Sequence, residues 1–268
     1  MESFGQPATA QTEQKKRKPH WHEVKLRRVV MLLAIVFASL FAIAGGLQFV
    51  ETVFVIPHEI SAWQKSVPSF ESLPTPLHDQ QIATLAGIRV ERYGYSVQVP
   101  WNAIVRESQS DSSDWLLFRA ATTDVSMELT DPDRALPDFI DIAKQSPKDW
   151  AEFTAIMGQD AMRSNFDLTQ VALSARPENV HWWNSRRSRS RSNMLLMVKV
   201  LVAHEARSIY PVAGNSVRGW QFGDAGNPEL RLLLFDAQDR QYQIDLSGNG
   251  SLTQPQINAV VANFQPRP

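Results

Sequence analysis

Residues 29–50 read VVMLLAIVFASLFAIAGGLQFV, a run of 22 without a charged side chain. At roughly 1.5 Å per residue a helix of that length measures about 33 Å, enough for a hydrocarbon core about 30 Å thick. In lipid the backbone must satisfy its own polar groups, so the run predicts one continuous transmembrane helix. It divides the chain into a short basic tail, 1–28, and a long polar remainder.

The flanks orient it. Lys15, Lys16, Arg17, Lys18, Lys25, Arg27 and Arg28 precede the run, whereas Glu51, Glu59 and Lys65 follow it. Cationic residues stay on the cytoplasmic side, so the tail is expected inside and the remainder outside. The apolar core is longer than the roughly 7–15 residues of a cleaved signal peptide. Ala42-Ile43-Ala44 resembles a cleavage site, but the favoured reading is an uncleaved single-pass signal anchor in the cytoplasmic membrane. Ala34, Ala38, Ala42 and Gly46 form a stripe of small side chains along that helix. Such a stripe suits close approach by a second copy, hence a homodimer; ordinary lipid-facing alanines are the alternative.

The chain has 268 residues and no cysteine, which excludes disulfides, thiolate zinc sites and iron–sulfur clusters. The tail takes seven basic and three acidic residues, leaving 20 basic against 25 acidic, a net of −5. A mildly acidic remainder argues against nucleic-acid binding.

Residues 51–86 contain Pro57, Pro68, Pro74 and Pro76, which break a long helix, and read as a stalk. From 87 the pattern changes. Period-two alternation predicts strands at 88–92 and 95–99 around Gly94, then at 115–118, 125–129, 217–222, 230–235 and 241–246. Residues 108–114, SQSDSSD, read as a loop. Ser146-Pro147-Lys148-Asp149 and Thr253-Gln254-Pro255-Gln256 both fit capping boxes. The first opens a helix with Trp150, Phe153 and Met157 on one face; the second opens one with Ile257, Val260, Val261 and Phe264 on one face. A further helix is expected over 164–173. The run 194–203, MLLMVKVLVA, has Lys199 as its single polar residue. Its length and Met and Leu content favour a helix, with a buried strand left open. Antiparallel strands with segregated helices indicate one extracytoplasmic α+β domain over 87–268, behind the membrane helix.

The run Tyr93-Gly94-Tyr95-Ser96-Val97-Gln98-Val99-Pro100-Trp101 resembles the opening hairpin of PsbP-like domains. A closing hairpin and helix extend the similarity, which covers 88–129 and 217–264. The resemblance implies an antiparallel sheet between helices and an accessory or binding role without a shared catalytic centre. The stretch 132–209 departs from it, and no functional residue carries over.

No catalytic signature stands out. The six histidines form no H-E-x-x-H pair, and the chain has no Walker loop, G-x-G-x-x-G or G-x-S-x-G. Asp245-Leu246-Ser247-Gly248-Asn249-Gly250 begins like a calcium loop, but Gln256 stands where the bidentate Glu is needed. Asp131 with Asp133, Asp138 with Asp141, and His204-Glu205 are the remaining acid/base candidates, better read as capping or solvated groups. No metal or cofactor is expected. The most unusual stretch is Trp182-Trp183 followed by Arg186, Arg187, Arg189 and Arg191. Two adjacent tryptophans cannot both face one core from a regular strand, and the guanidiniums cannot be buried without partners. The stretch therefore reads as a surface loop, an apolar knuckle beside concentrated positive charge, suited to an acidic partner or to lipid headgroups. The reading is a membrane-anchored envelope protein acting as a non-catalytic interaction module toward a partner at the outer face. The alternative is a membrane-tethered enzyme whose site is assembled from scattered residues.

Overall fold

A computed structural model describes residues 67–84, 87–120, 124–134, 144, 146–159, 163–177, 185–203, 205–248 and 252–268. The uncharged run 29–50, with Ala34, Ala38, Ala42 and Gly46, lies outside the described residues. The expected fold class needs correction. Among the described residues no helix is long and apolar enough to cross a membrane. What the structure supports over the described residues is a mixed α+β domain.

Among the described residues ten strands form two sheets. Strands β1 (Arg89–Arg92) and β2 (Tyr95–Gln98) make a hairpin, and the two-residue β10 (Phe264–Gln265) joins β2 on its other side. The turn between β1 and β2 holds Tyr93 at φ 49° and Gly94 at φ 79°. Positive φ at both central residues is what a type I′ turn demands, and it explains the glycine.

The large sheet has the order β3-β4-β5-β9-β8-β7-β6, every neighbour antiparallel. Its strands are β3 (Ile104–Gln109), β4 (Ser113–Phe118), β5 (Val125–Thr130), β6 (Ile209–Ala213), β7 (Arg218–Phe222), β8 (Glu229–Phe235) and β9 (Gln241–Ser247). Two meanders, β3–β5 and β6–β9, meet where β5 pairs with β9. Between them the chain makes α1 (Pro147–Met157), α2 (Asn165–Leu173) and α3 (Arg186–Ala203); α4 (Gln254–Ala262) follows β9.

One face of the large sheet is covered from β4 across to β6. Leu116, Phe118, Met127, Leu129, Leu232, Ile244 and Leu246 pack against the small sheet and against Ile257, Val260 and Val261 of α4. Among the described residues the other face is covered over β6–β8, where Ile209, Trp220, Phe222, Leu233 and Phe235 meet α1, α2 and α3. Burial follows. Strands β4, β5 and β9 alternate between buried and half-exposed residues, whereas Leu232, Leu233, Leu234 and Phe235 of β8 are all buried. A strand buried on both faces loses the alternation that marks a half-buried one.

Local chemistry fixes the helix ends. Ser164 Oγ accepts from Asp167 N at 3.0 Å, and the Asp239 carboxylate accepts from Asn165 N and Phe166 N, so the start of α2 is capped twice. Gly158 at φ 86° ends α1. Thr253 N donates to Gln256 Oε1 at 3.0 Å, the backward arm of the expected capping box at α4. Phe264 is buried as expected, but it enters the core from β10, one residue beyond the Asn263 cap, rather than from the helix.

Three further expectations change. Residues 67–84, expected to belong to a stalk, lie against the domain as a strap. Phe70 is buried; Thr75 N donates to the Ile209 carbonyl at 2.9 Å and Ala83 N to the Pro255 carbonyl at 2.9 Å. Asn258 Nδ2 donates to the Gln81 carbonyl at 2.8 Å. The expected loop 108–114 shrinks, since β3 runs to Gln109 and β4 starts at Ser113. Finally, the Arg-Ser repeat is not a loop. It forms the first turns of α3, continuous with 194–203, which is helix rather than strand. Arginine is a good helix former, and the apolar second half anchors the whole element on α2.

Candidate functional site: an open groove on the uncovered half of the sheet

Because α1, α2 and α3 cover only β6–β8, the sheet steps down beside α3 into a groove of about 1020 Å³. Its floor is the half-exposed face of β4, β5, β9 and β8. Its wall is the last turn of α3, with Val202 and Ala203, followed by Glu205, Ala206 and Arg207. The β7–β8 turn, with Asp224 and Asn227, closes one end.

The strand register aligns one row of side chains across this floor. Trp115 is opposite Glu128, Glu128 opposite Asp245, Asp245 opposite Arg231, and Arg231 opposite Phe222. Arg231 Nε donates to Asp245 Oδ1 at 2.8 Å, and Gln243 Nε2 donates to Asp245 Oδ2 at 2.7 Å. Asp245 therefore belongs to a strand-borne ion pair, not to the start of a calcium loop. The Glu128 carboxylate makes no hydrogen bond or ion pair among the described residues, although a second carboxylate stands directly across from it. Like charges at directly opposed positions destabilise a sheet. The row thus has two negative groups and one positive, in a depression open to solvent. Trp115, half-exposed beside Glu128, offers an aromatic surface at the same place.

At the rim, Asp224 accepts from Ser208 Oγ at 2.8 Å and from the Tyr210 hydroxyl. That bond to Asp224, followed by burial, holds the Tyr210 phenol above its ordinary pKa. In all, the groove is lined by the carboxylates of Glu128, Glu205, Asp224, Glu229 and Asp245 against the guanidiniums of Arg207 and Arg231. Among the described residues no group of three His, Cys, Asp or Glu could hold a metal ion. Ser126 Oγ, in the groove, donates to the Ser247 carbonyl at 3.5 Å.

Of the residues singled out from sequence, Glu205 and Asp245 line the groove, whereas the arginines of α3 and the Asp131–Asp133 pair fall elsewhere. Arg187 is exposed in the first turn of α3, and Arg189 and Arg191 are half-buried in the next. Arg186 begins the helix. Eighteen residues make α3 about 27 Å long, so its basic end is far from the groove at its other end. Trp182, Trp183, His204, Asp138 and Asp141 lie outside the described residues. Asp131 and Asp133 are both held by Arg267, at 3.3 and 3.1 Å. The same guanidinium donates to the Tyr93 carbonyl. Arg240 in turn donates to the carbonyls of Arg267 and Pro268. This cluster clamps the final residues to the β1–β2 hairpin and has a structural role.

The groove row escaped sequence reading. Its alternating polar positions, Ser126 and Glu128 in β5 and Gln243 and Asp245 in β9, mark an exposed sheet face. Which of them stand side by side depends on register, and register between strands so far apart in sequence has no local signature. Comparison of the chain with family models, with curated proteins and with solved structures finds no match.

Proposed function

We propose that this protein is a non-catalytic interaction module that receives a partner segment in the groove beside α3. The observation that carries this reading is the unbalanced row on the groove floor, where Glu128 opposes Asp245 and only Arg231 compensates. Local conflicts of this kind concentrate where a protein contacts something else. A partner's lysine or arginine lying over Trp115 would supply the missing cation and a cation–π contact. The pattern shared with PsbP-like domains supports an accessory role.

A membrane location goes with this proposal, the N-terminus inside and the domain outside a cytoplasmic membrane. Its support is in the sequence, from the uncharged run 29–50 and the seven cationic residues before it. Protease added to intact spheroplasts should digest the domain; digestion only after lysis would reject that orientation.

The alternative, an enzyme using Glu128 and Asp245 as its paired carboxylates, is supported by the same row. Against it stands the engagement of Asp245 with both Arg231 and Gln243. To test the module, a photo-crosslinking residue is placed at Ser126, in the groove, or at Gln109, on the exposed edge of the sheet, in the full-length protein in its native membrane. A discrete adduct from Ser126 alone is expected. Adducts absent from Ser126, or equal at both sites, would reject the groove as the binding surface.

A further inference from the structure

The exposed ridge of α3 is a second surface, separate from the groove floor. One side of the helix is in the core, through Leu195, Val198 and Val202, with the fully buried Lys199 beside them. The opposite side is not covered. Met197 is 53% and Leu201 49% exposed, one turn apart, and they are two of the five large apolar residues that the described structure leaves exposed. Half-exposed Val200 and Met194 flank them. Toward the start of the helix the sequence turns basic, with Arg186, Arg187, Arg189 and Arg191 and no acidic residue anywhere in its 18. Trp182 and Trp183 precede it in sequence.

We infer that the outward ridge of α3 lies on an anionic lipid surface, with Met197 and Leu201 entering the headgroup boundary and the arginines meeting phosphates. This rests on the membrane location proposed above. Binding to a lipid surface grows with the apolar area buried and with the attraction of cationic residues to anionic lipid, and α3 carries both along its length. The long arginine side chains can reach phosphate while the apolar strip sits deeper. A protein partner would need an acidic surface beside an apolar one. An anionic bilayer presents both along its whole extent, which favours lipid.

The chain has no cysteine, so one introduced at position 197 is unique. Full-length protein carrying Met197→Cys, labelled with an environment-sensitive fluorophore, is mixed with vesicles of phosphatidylglycerol and phosphatidylcholine, or of phosphatidylcholine alone. Gln109→Cys, on the exposed edge strand, serves as the control. The expected result is blue-shifted emission at 197, quenched by spin-labelled lipid, in the anionic vesicles and not at 109. Replacing all four arginines with Ser, with the circular dichroism spectrum unchanged, should weaken the quenching about tenfold or more. Vesicles that retain the protein while the 197 label stays water-exposed would overturn the inference and leave the membrane location standing. Failure of any vesicle to retain the protein would overturn both. A blue shift that needs an added protein and not lipid would assign the ridge to a protein partner and overturn the lipid reading.

Discussion

Replacing Glu128 with Gln should make the domain more stable. In most half-exposed strand positions the exchange would be neutral, so the sign is informative. Glu128 stands directly opposite Asp245, and opposed side chains on one face have Cβ atoms about 4.5–5.5 Å apart. Two charges about 5 Å apart in a nearly aqueous groove repel by about 0.8 kcal/mol. Arg231, 2.8 Å from Asp245, offsets part of this, leaving an expected gain of about 0.3–0.8 kcal/mol. The compact unit 58–268 unfolds with an entropy of about 0.4 kcal/mol/K at roughly 2.1 cal/mol/K per residue. The melting temperature of Glu128→Gln should therefore rise by about 1–2 °C. A double-mutant cycle isolates the cause. The gain should vanish when Asp245 is already Asn, because the opposed charge is gone. Calorimetry of the four proteins at neutral pH and low salt reads both quantities. A lower melting temperature for Glu128→Gln, or an equal rise in both backgrounds, would refute the repulsion and with it the argument for a cation-accepting groove. In the partner assay the same variant should crosslink less from Ser126, so stability and binding move in opposite directions.

Phe264→Ala should cost about 3–5 kcal/mol, or about 7–12 °C in melting temperature, because Phe264 is fully buried with ring centroids of Tyr95 and Tyr242 at 5.2 and 5.0 Å; a fall under about 3 °C would show that β10 is not part of the cooperative unit. Gly219→Ala should be at least as damaging, since its Cβ would stand 1.9 Å from the Leu233 carbonyl oxygen, and a soluble, normally melting variant would contradict that close approach. Burial, then the hydrogen bond to Asp236, pushes the Tyr242 phenol up to about 12, so the folded chain keeps a proton that the unfolded chain releases near 10. The associated stability is complete below pH 10 and falls by about 1.4 kcal/mol per pH unit above it, up to the folded pKa; urea midpoints from pH 9 to 11.5 should fall less steeply in Tyr242→Phe.

Much of the fold was legible because local rules acted alone. The β8–β9 hairpin and the Thr253 box each need only a few neighbouring residues, and each is where the sequence puts it. The missed elements share a different cause. Strand β3, IVRESQ, has all six residues exposed at the sheet edge, so neither face carries an apolar period to read. Strand β6 contains Pro211, which discourages a strand assignment; it is tolerated because β6 is the other edge, crossed only by the bridge from Pro74. The Arg-Ser repeat looks like a loop by composition. Its helical state is imposed by the apolar turns that follow it, a cooperative effect invisible within the repeat itself. The groove was least legible, since it is a gap left by where helices stop.

The strap also sets how tension travels. Ser72 Oγ donates to the Arg207 carbonyl at 2.7 Å, and Arg207 is in the groove wall. Just upstream, the buried Lys199 ammonium donates to the carbonyls of Phe70 at 3.3 Å and Ala175 at 2.9 Å, so α3 and the end of α2 are tied to the same short segment. A pull on the chain ahead of residue 67 meets no slack coil. It loads the Phe70 anchor first and then the 206–207 turn, before any strand of the large sheet bears force. That part of the groove wall is a turn rather than a hydrogen-bonded ladder. Strain applied at the leading end of the domain would thus reach the wall of the proposed groove before it reaches the sheet.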